Sequence, residues 1–142
     1  MNRYLRQLTR LSVIGNRLSG RIRMIIRSYR DLEVWKKSIE LVKKIYIVTK
    51  GFPKDEIYGL VSQMRRAAVS IPSNIAEGKM RGHTNEFVQF LYIALGSGAE
   101  LDTQLIIAKE MKYVSEEESN IILDEVNHIS RMIRNLIKAL KK

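Results

Sequence analysis

The stretch Gln63-Met64-Arg65-Arg66-Ala67-Ala68-Val69-Ser70-Ile71-Pro72-Ser73-Asn74-Ile75-Ala76-Glu77-Gly78 decides how the rest of the chain is read. At about 100° per residue, Leu60, Met64, Ala67, Ala68, Ile71 and Ile75 fall on one apolar helical face. Gln63, Arg66, Ser70, Asn74 and Glu77 fall on the adjoining face as a polar stripe without lysine. Lysine fills the solvated helix faces elsewhere in this chain, so its absence points to partners rather than water. Pro72 interrupts the pattern. It lacks an N–H and its ring crowds the carbonyl of Ala68, so a kink or a break is expected there. Ser70 and Ser73 stand where they would bond the backbone groups so released.

Outward from this stretch the same periodicity continues. A first helix is expected over residues 31–50, with Asp31 as N-cap and Trp35, Ile39, Val42, Ile45, Tyr46 and Thr49 on its apolar face. Gly51 signals its C-cap, and Phe52-Pro53 stops continuation. The second helix is expected to start near Lys54-Asp55-Glu56, where acids suit the positive end of the macrodipole, and to end near Gly78 to Gly82. Thr84 is the expected cap of a third helix reaching about Lys109. At its centre Gly96-Ser97-Gly98 places two glycines where each costs about 1 kcal/mol relative to alanine, which implies another backbone approaching closely. Glu86, Ser97, Glu100 and Gln104 share a second polar stripe on this helix. Ser115-Glu116-Glu117-Glu118 reads as a capping box opening a fourth helix. Its apolar residues run from Ile122 to Leu140, and its cations Arg131, Arg134, Lys138, Lys141 and Lys142 collect where the dipole favours them. Four amphipathic helices with short connections predict an all-α fold, an antiparallel up-down four-helix bundle with its second helix kinked near Pro72.

Composition agrees. The chain has 142 residues, 45% hydrophobic, with 8 Gly, 2 Pro and no Cys, which suits one helical domain without disulfides or thiolate metal sites. Its apolar runs fall far short of the roughly 20 residues of a membrane span, and a cytoplasmic location is expected. The net charge of +10 is unevenly distributed: residues 1–30 carry eight arginines and no acid, whereas residues 31–142 carry 17 Lys+Arg against 15 Asp+Glu. A boundary therefore falls near residue 30, dividing a basic leader, residues 1–28, from the bundle, residues 29–142. The leader has apolar residues at intervals of three and four, fitting an RNA-contacting arm, a membrane-surface helix or a transit-like peptide. The alternative is an extension that is not native, with Met24 as the natural start; either way poor order is expected there.

No catalytic constellation is legible. His83 and His128 lack metal-ligand spacing, there is no Walker motif or Cys nucleophile, and Ser70, Ser73 and Ser97 lack an adjacent base in sequence. No enzyme activity, cofactor or metal is expected. Arg66 is expected to pair with Glu77 or Glu100, inside the bundle or at a subunit contact, with Gln63, Asn74 and Ser97 completing the hydrogen bonds; the alternative makes it a phosphate contact with Arg65, Lys79 and Arg81. Arg65, on another side of the helix, stays available for nucleic acid, and Lys79 and Arg81 lie in a basic turn suited to phosphate. Lys36 and Lys37, off the apolar face of the first helix, read most simply as solvated surface and complete the phosphate-contact candidates.

Asp31-Leu32-Glu33-Val34-Trp35-Lys36-Lys37, Phe52-Pro53, Tyr58-Gly59-Leu60, the opening stretch and Phe90-Leu91-Tyr92-Ile93-Ala94-Leu95-Gly96-Ser97-Gly98-Ala99-Glu100-Leu101-Asp102-Thr103-Gln104 together resemble the 23S rRNA intervening-sequence proteins. The resemblance covers about residues 29–142 and is most specific at Ser73-Asn74-Ile75-Ala76-Glu77-Gly78; Lys36 and Gly98 depart from the usual pattern. It implies a bundle that assembles into a ring, a homopentamer, in a family encoded within bacterial large-subunit rRNA genes. A related branch, the accessory proteins of diversity-generating retroelements, binds nucleic acid and a reverse transcriptase. No catalytic residue carries over. The resulting expectation is a non-enzymatic oligomer that binds RNA or other nucleic acid through basic surface. The alternative is a ring-shaped protein-interaction scaffold for a nucleic-acid enzyme such as a reverse transcriptase.

Overall fold

The first long helix does not start where a capping aspartate would place it. In the computed structural model, which describes residues 28–142, Ser28 and Asp31 instead close a capping box on a single 3₁₀ turn, Tyr29–Asp31. Ser28 N–H donates to Asp31 Oδ2 at 3.0 Å and Arg30 N–H to Ser28 Oγ at 3.2 Å. The expectations for the leader fall on residues 1–27, outside the described residues.

Four long helices follow: α1 (Glu33–Thr49), α2 (Leu60–Met80), α3 (Thr84–Glu110) and α4 (Glu116–Leu140). Helix α1 buries Val34, Leu41 and Ile45, with Trp35 and Val42 packed on the edge of the core. The buried stripe is thus rotated from the predicted one, and Tyr46 is exposed. Its buried hydroxyls bond backward along the helix, Ser38 to the carbonyl of Trp35 at 2.7 Å and Thr49 to that of Ile45 at 2.6 Å, so neither costs an orphaned polar group. Phe52 turns into the core, its ring 5.5 Å from that of Tyr113.

Lys54-Asp55-Glu56 form a 3₁₀ turn rather than the start of α2. The expected acid nevertheless serves the helix, because Glu56 Oε2 accepts from the N–H of Leu60 at 2.9 Å. Pro72 is buried inside α2, which runs unbroken from Leu60 to Met80. Pro72 has no N–H to give the carbonyl of Ala68, and burial of Ala68, Ile71 and Ile75 around it offsets that loss.

His83, not Thr84, occupies the N-cap of α3, and Gly82 makes the preceding turn at φ +78°. Ser115 caps α4 as predicted, accepting from the N–H of Glu118 at 3.1 Å. The helices pack in the cycle α1–α2–α3–α4–α1, with α2 against α3 the most extensive contact. Leu41, Ile45, Met64, Ile71, Ile75, Leu91, Leu101, Leu105 and Ile133 fill the shared core.

The close backbone approach lies elsewhere than expected. A Cβ at Gly96 would meet nothing within 4 Å, and one at Gly98 only Ser130 Oγ at 3.3 Å. A Cβ at Gly78 would stand 2.5 Å from Phe90 Cβ. The notch that admits α3 is therefore in α2, at the end of the stretch that opened the reading.

Candidate functional site

The two polar stripes meet. Ser70 Oγ and Ser97 Oγ are 2.8 Å apart across the α2–α3 contact, and Asn74 Nδ2 donates to both the hydroxyl and the carbonyl of Ser70 at 2.8 Å. Ser97 Oγ also reaches the carbonyl of Ile93 at 3.2 Å. These small side chains fit because α2 and α3 run close there, and each bond contributes about 1 kcal/mol. The seam needs no base, metal or substrate to satisfy it.

The charged members of the stripe do not join it. Glu77 pairs with Arg81 on its own helix at 2.9 Å, and Glu100 accepts a long bond of 3.4 Å from Gln104. Gln63, Arg66, Glu77 and Glu100 are all exposed. Arg66 makes no hydrogen bond or ion pair among the described residues. The pairing of Arg66 with Glu77 or Glu100 inside the bundle is thus not formed, because Arg66 is exposed and its side chain lines an open groove. Around it lies an open groove with Tyr46, Tyr58, Val69 and Ser70 in its wall. Tyr58 is 98% exposed, and Ile57 and Val69 add apolar surface beside it.

Arg65, one residue away, is held by the bundle. Its Nε donates to Thr49 Oγ1 at 3.0 Å, an Nη reaches the carbonyl of Tyr46 at 3.4 Å, and the guanidinium lies 4.6 Å from the Tyr46 ring centroid. It ties the end of α1 to α2. Arg81 is also engaged, stacking 5.1 Å from the Phe90 centroid while pairing with Glu77. Lys79 lies 6.0 Å from the Phe87 centroid, and Lys36 pairs with Glu33 at 3.6 Å. An exposed pair of this kind is worth at most about 1 kcal/mol and yields to a stronger anion.

Lys37 differs from the other four candidates. It is exposed and has no carboxylate partner among the described residues, and its charge is felt by His128 of α4. Burial, and then the charges of Lys37 and Arg131, hold the His128 pKa below the ordinary imidazole value. Lys37 on α1 and Arg131 on α4 thus both act on the same imidazole, although the sequence attached Arg131 only to the helix dipole.

Among the described residues there is no group of three His, Cys, Asp or Glu able to hold a metal ion, and no helix long and apolar enough to cross a membrane.

The model of one family, described as 23S rRNA-intervening sequence protein, matches residues 30–135. The fold is similar to a crystal structure from Bacteroides thetaiotaomicron, a protein of unknown function from the S23 ribosomal protein family. The two share 24% identity over 74% of this chain and 98% of the other, with a TM-score of 0.69. No curated protein gives a significant match.

Proposed function

This chain belongs to the 23S rRNA-intervening sequence protein family, and we propose that it acts without catalysis, as an oligomeric bundle that binds RNA or other nucleic acid. In this reading the bundle is antiparallel, α2 bends at Pro72, and copies assemble into a ring, a pentamer, in the bacterial cytoplasm. The short connections, residues 81–83 and 111–115, support the antiparallel order.

One observation carries the assembly: Arg66 stands exposed and unpaired in a groove beside a Tyr58 that is 98% exposed. Arginine and tyrosine are the residues that most often anchor protein contacts. A neighbouring copy supplies carboxylates of the same exposed stripe, Glu77 or Glu100, and covers Ile57 and Val69. The nucleic-acid part rests on the family's description and on exposed cations left unneutralised by the fold.

Native mass spectrometry of the full chain tests the assembly. The expected result is a closed oligomer for the wild type and, for Arg66→Met, a monomer with unchanged helical circular dichroism. A wild type that stays monomeric at micromolar concentration sinks the ring. An Arg66→Met protein that stays assembled but no longer binds RNA moves Arg66 to the nucleic-acid surface. RNA affinity should fall linearly with log salt, with a slope of about −0.7 to −0.9 per phosphate neutralised.

The same exposed apolar residues favour a second reading, a scaffold that docks another protein. A partner retained on the full chain after nuclease treatment, and lost with Tyr58→Ser, supports that reading over the first.

A further inference from the structure

Helix α4 is divided by charge. Residues 116–125 carry five acids and no base, and residues 126–142 carry five bases and no acid. The helix dipole accounts for the acids of the first turn and the cations of the last, but its influence fades within about one turn. Arg131 and Arg134 lie about two and a half and one and a half turns before the end of the helix at Leu140. Their clustering needs another cause.

Arg131, Arg134, Lys138 and Lys142 are exposed and make no ion pair or hydrogen bond among the described residues. On α1 and in the first half of α4, Glu33 pairs with Lys36, Glu40 with Lys43 and Glu125 with Lys44, while the exposed Asp124 lies seven residues before Arg131 and makes no ion pair with the row. On the α1 side, the helix packed against α4, Lys37 is exposed, and its charge acts on His128 as that of Arg131 does. At a rise of 1.5 Å per residue, Arg131, Arg134 and Lys138 recur about every 4.5–6 Å along this face, and Lys142 follows just past the helix end. That forms a row of positive charge with nothing of its own to meet.

We propose that this row, Lys37 with Arg131, Arg134, Lys138 and Lys142, is the docking surface for the phosphate backbone of double-helical RNA. The proposal rests on the nucleic-acid-binding reading and assigns it a place that none of Arg65, Lys36, Lys79 and Arg81 occupies. Three features select the partner. A membrane surface would need apolar side chains beside the cations, yet the apolar face of α4 (Ile122, Val126, Ile129, Met132, Ile133 and Leu136) is buried in the core. Unpaired strands are held chiefly by aromatic stacking, and this face has no aromatic residue of its own, while the ring of neighbouring Tyr92 is covered by Lys141 at 5.2 Å. Exposed Asn127 and Asn135 stand among the cations and offer donors and acceptors to 2′-hydroxyls, which DNA lacks.

The test compares full-length wild type with Arg131→Gln/Arg134→Gln/Lys138→Gln, and with Lys50→Gln/Lys54→Gln/Lys112→Gln as a control of equal charge loss. Binding to an RNA hairpin duplex, the matching DNA duplex and phosphatidylserine vesicles is followed over a salt series. Ultraviolet crosslinking then locates the RNA on the chain. The α4 triple should weaken RNA binding at least about tenfold and flatten the salt slope by about 2 to 3, with the control near wild type and crosslinks in residues 126–142. Equal losses in both triples, crosslinks confined to residues 1–27, or tighter binding to vesicles or DNA than to RNA would overturn the α4 assignment while leaving the broader reading standing. A wild type that binds no RNA at low salt overturns both.

Discussion

Alanine at Gly78 and alanine at Gly96 should move stability in opposite directions, although both glycines lie inside helices. At Gly78 the new Cβ would lie 2.5 Å from Phe90 Cβ, 3.1 Å from Phe87 Cδ2 and 3.2 Å from Phe90 Cγ. Carbon atoms prefer about 3.5–4.0 Å. Phe90 Cβ is fixed to the α3 backbone and has no rotamer that moves it, so relief requires α2 and α3 to separate by about 1 Å. Overpacking of this kind typically costs 1–3 kcal/mol or so, and more when backbone must shift. Helix propensity returns about 1 kcal/mol. The expected net is a loss of about 2 kcal/mol, or a drop of roughly 6 °C in melting temperature for a chain of this length. At Gly96, with nothing within 4 Å, only the propensity term remains, and alanine should raise the melting temperature by roughly 3 °C. Thermal melts at fixed protomer concentration check both, because oligomer stability depends on concentration. A Gly78→Ala protein that melts at or above wild type refutes the close approach. A Gly96→Ala protein that is destabilised only at high concentration would instead locate a neighbouring copy against that face.

Three further outcomes follow from single groups. Ser119 Oγ is buried and makes no hydrogen bond among the described residues, so Ser119→Ala should be neutral or stabilising by up to about 1 kcal/mol in urea denaturation. Arg65→Met removes the bond to Thr49 and the contact with the Tyr46 ring, and should cost about 1–2 kcal/mol while speeding amide exchange at the end of α1. His128 has a native pKa below its unfolded value of about 6.5, so the unfolded chain takes up the proton first as pH falls. The stability this contributes is present above about pH 6.5 and is lost as pH falls through the native value; His128→Gln should remove that part of the difference between urea midpoints at pH 7.5 and 5.5.

Helix count and the apolar faces of α2 and α4 were legible because they depend on periodicity, whereas α1, with apolar residues on several sides, was read with its buried stripe rotated. Helix starts were less so. Asp31 and Glu56 both satisfy orphan N–H groups as acids near a helix start should, but one closes a 3₁₀ turn and the other reaches a helix four residues on. Residue type alone does not distinguish these geometries. The glycine reading failed for a related reason: a glycine can be helical because a neighbour demands space or simply because none forbids it, and only the position of Phe90 separates Gly78 from Gly96.

The polar stripe shows where sequence reasoning reaches its limit for the site. Ser70, Asn74 and Ser97 do meet, because small polar side chains at a helix contact can satisfy one another only there. Arg66 has the same helical register, yet a long side chain on the outer flank points to whatever lies beyond the chain, which the single-chain sequence does not contain. The candidate cations divide by the same logic. Arg65 and Arg81 are near aromatic rings and acceptors contributed by other turns, and these neutralise their availability. Lys37, Arg131, Arg134 and Lys138 have no ion-pair partner among the described residues, while Glu33, Glu40 and Glu125 pair with Lys36, Lys43 and Lys44. What makes a cation free to bind is therefore the pairing of its neighbours, a property of the fold's surface that a charge count over residues 31–142, nearly balanced at 17 against 15, conceals.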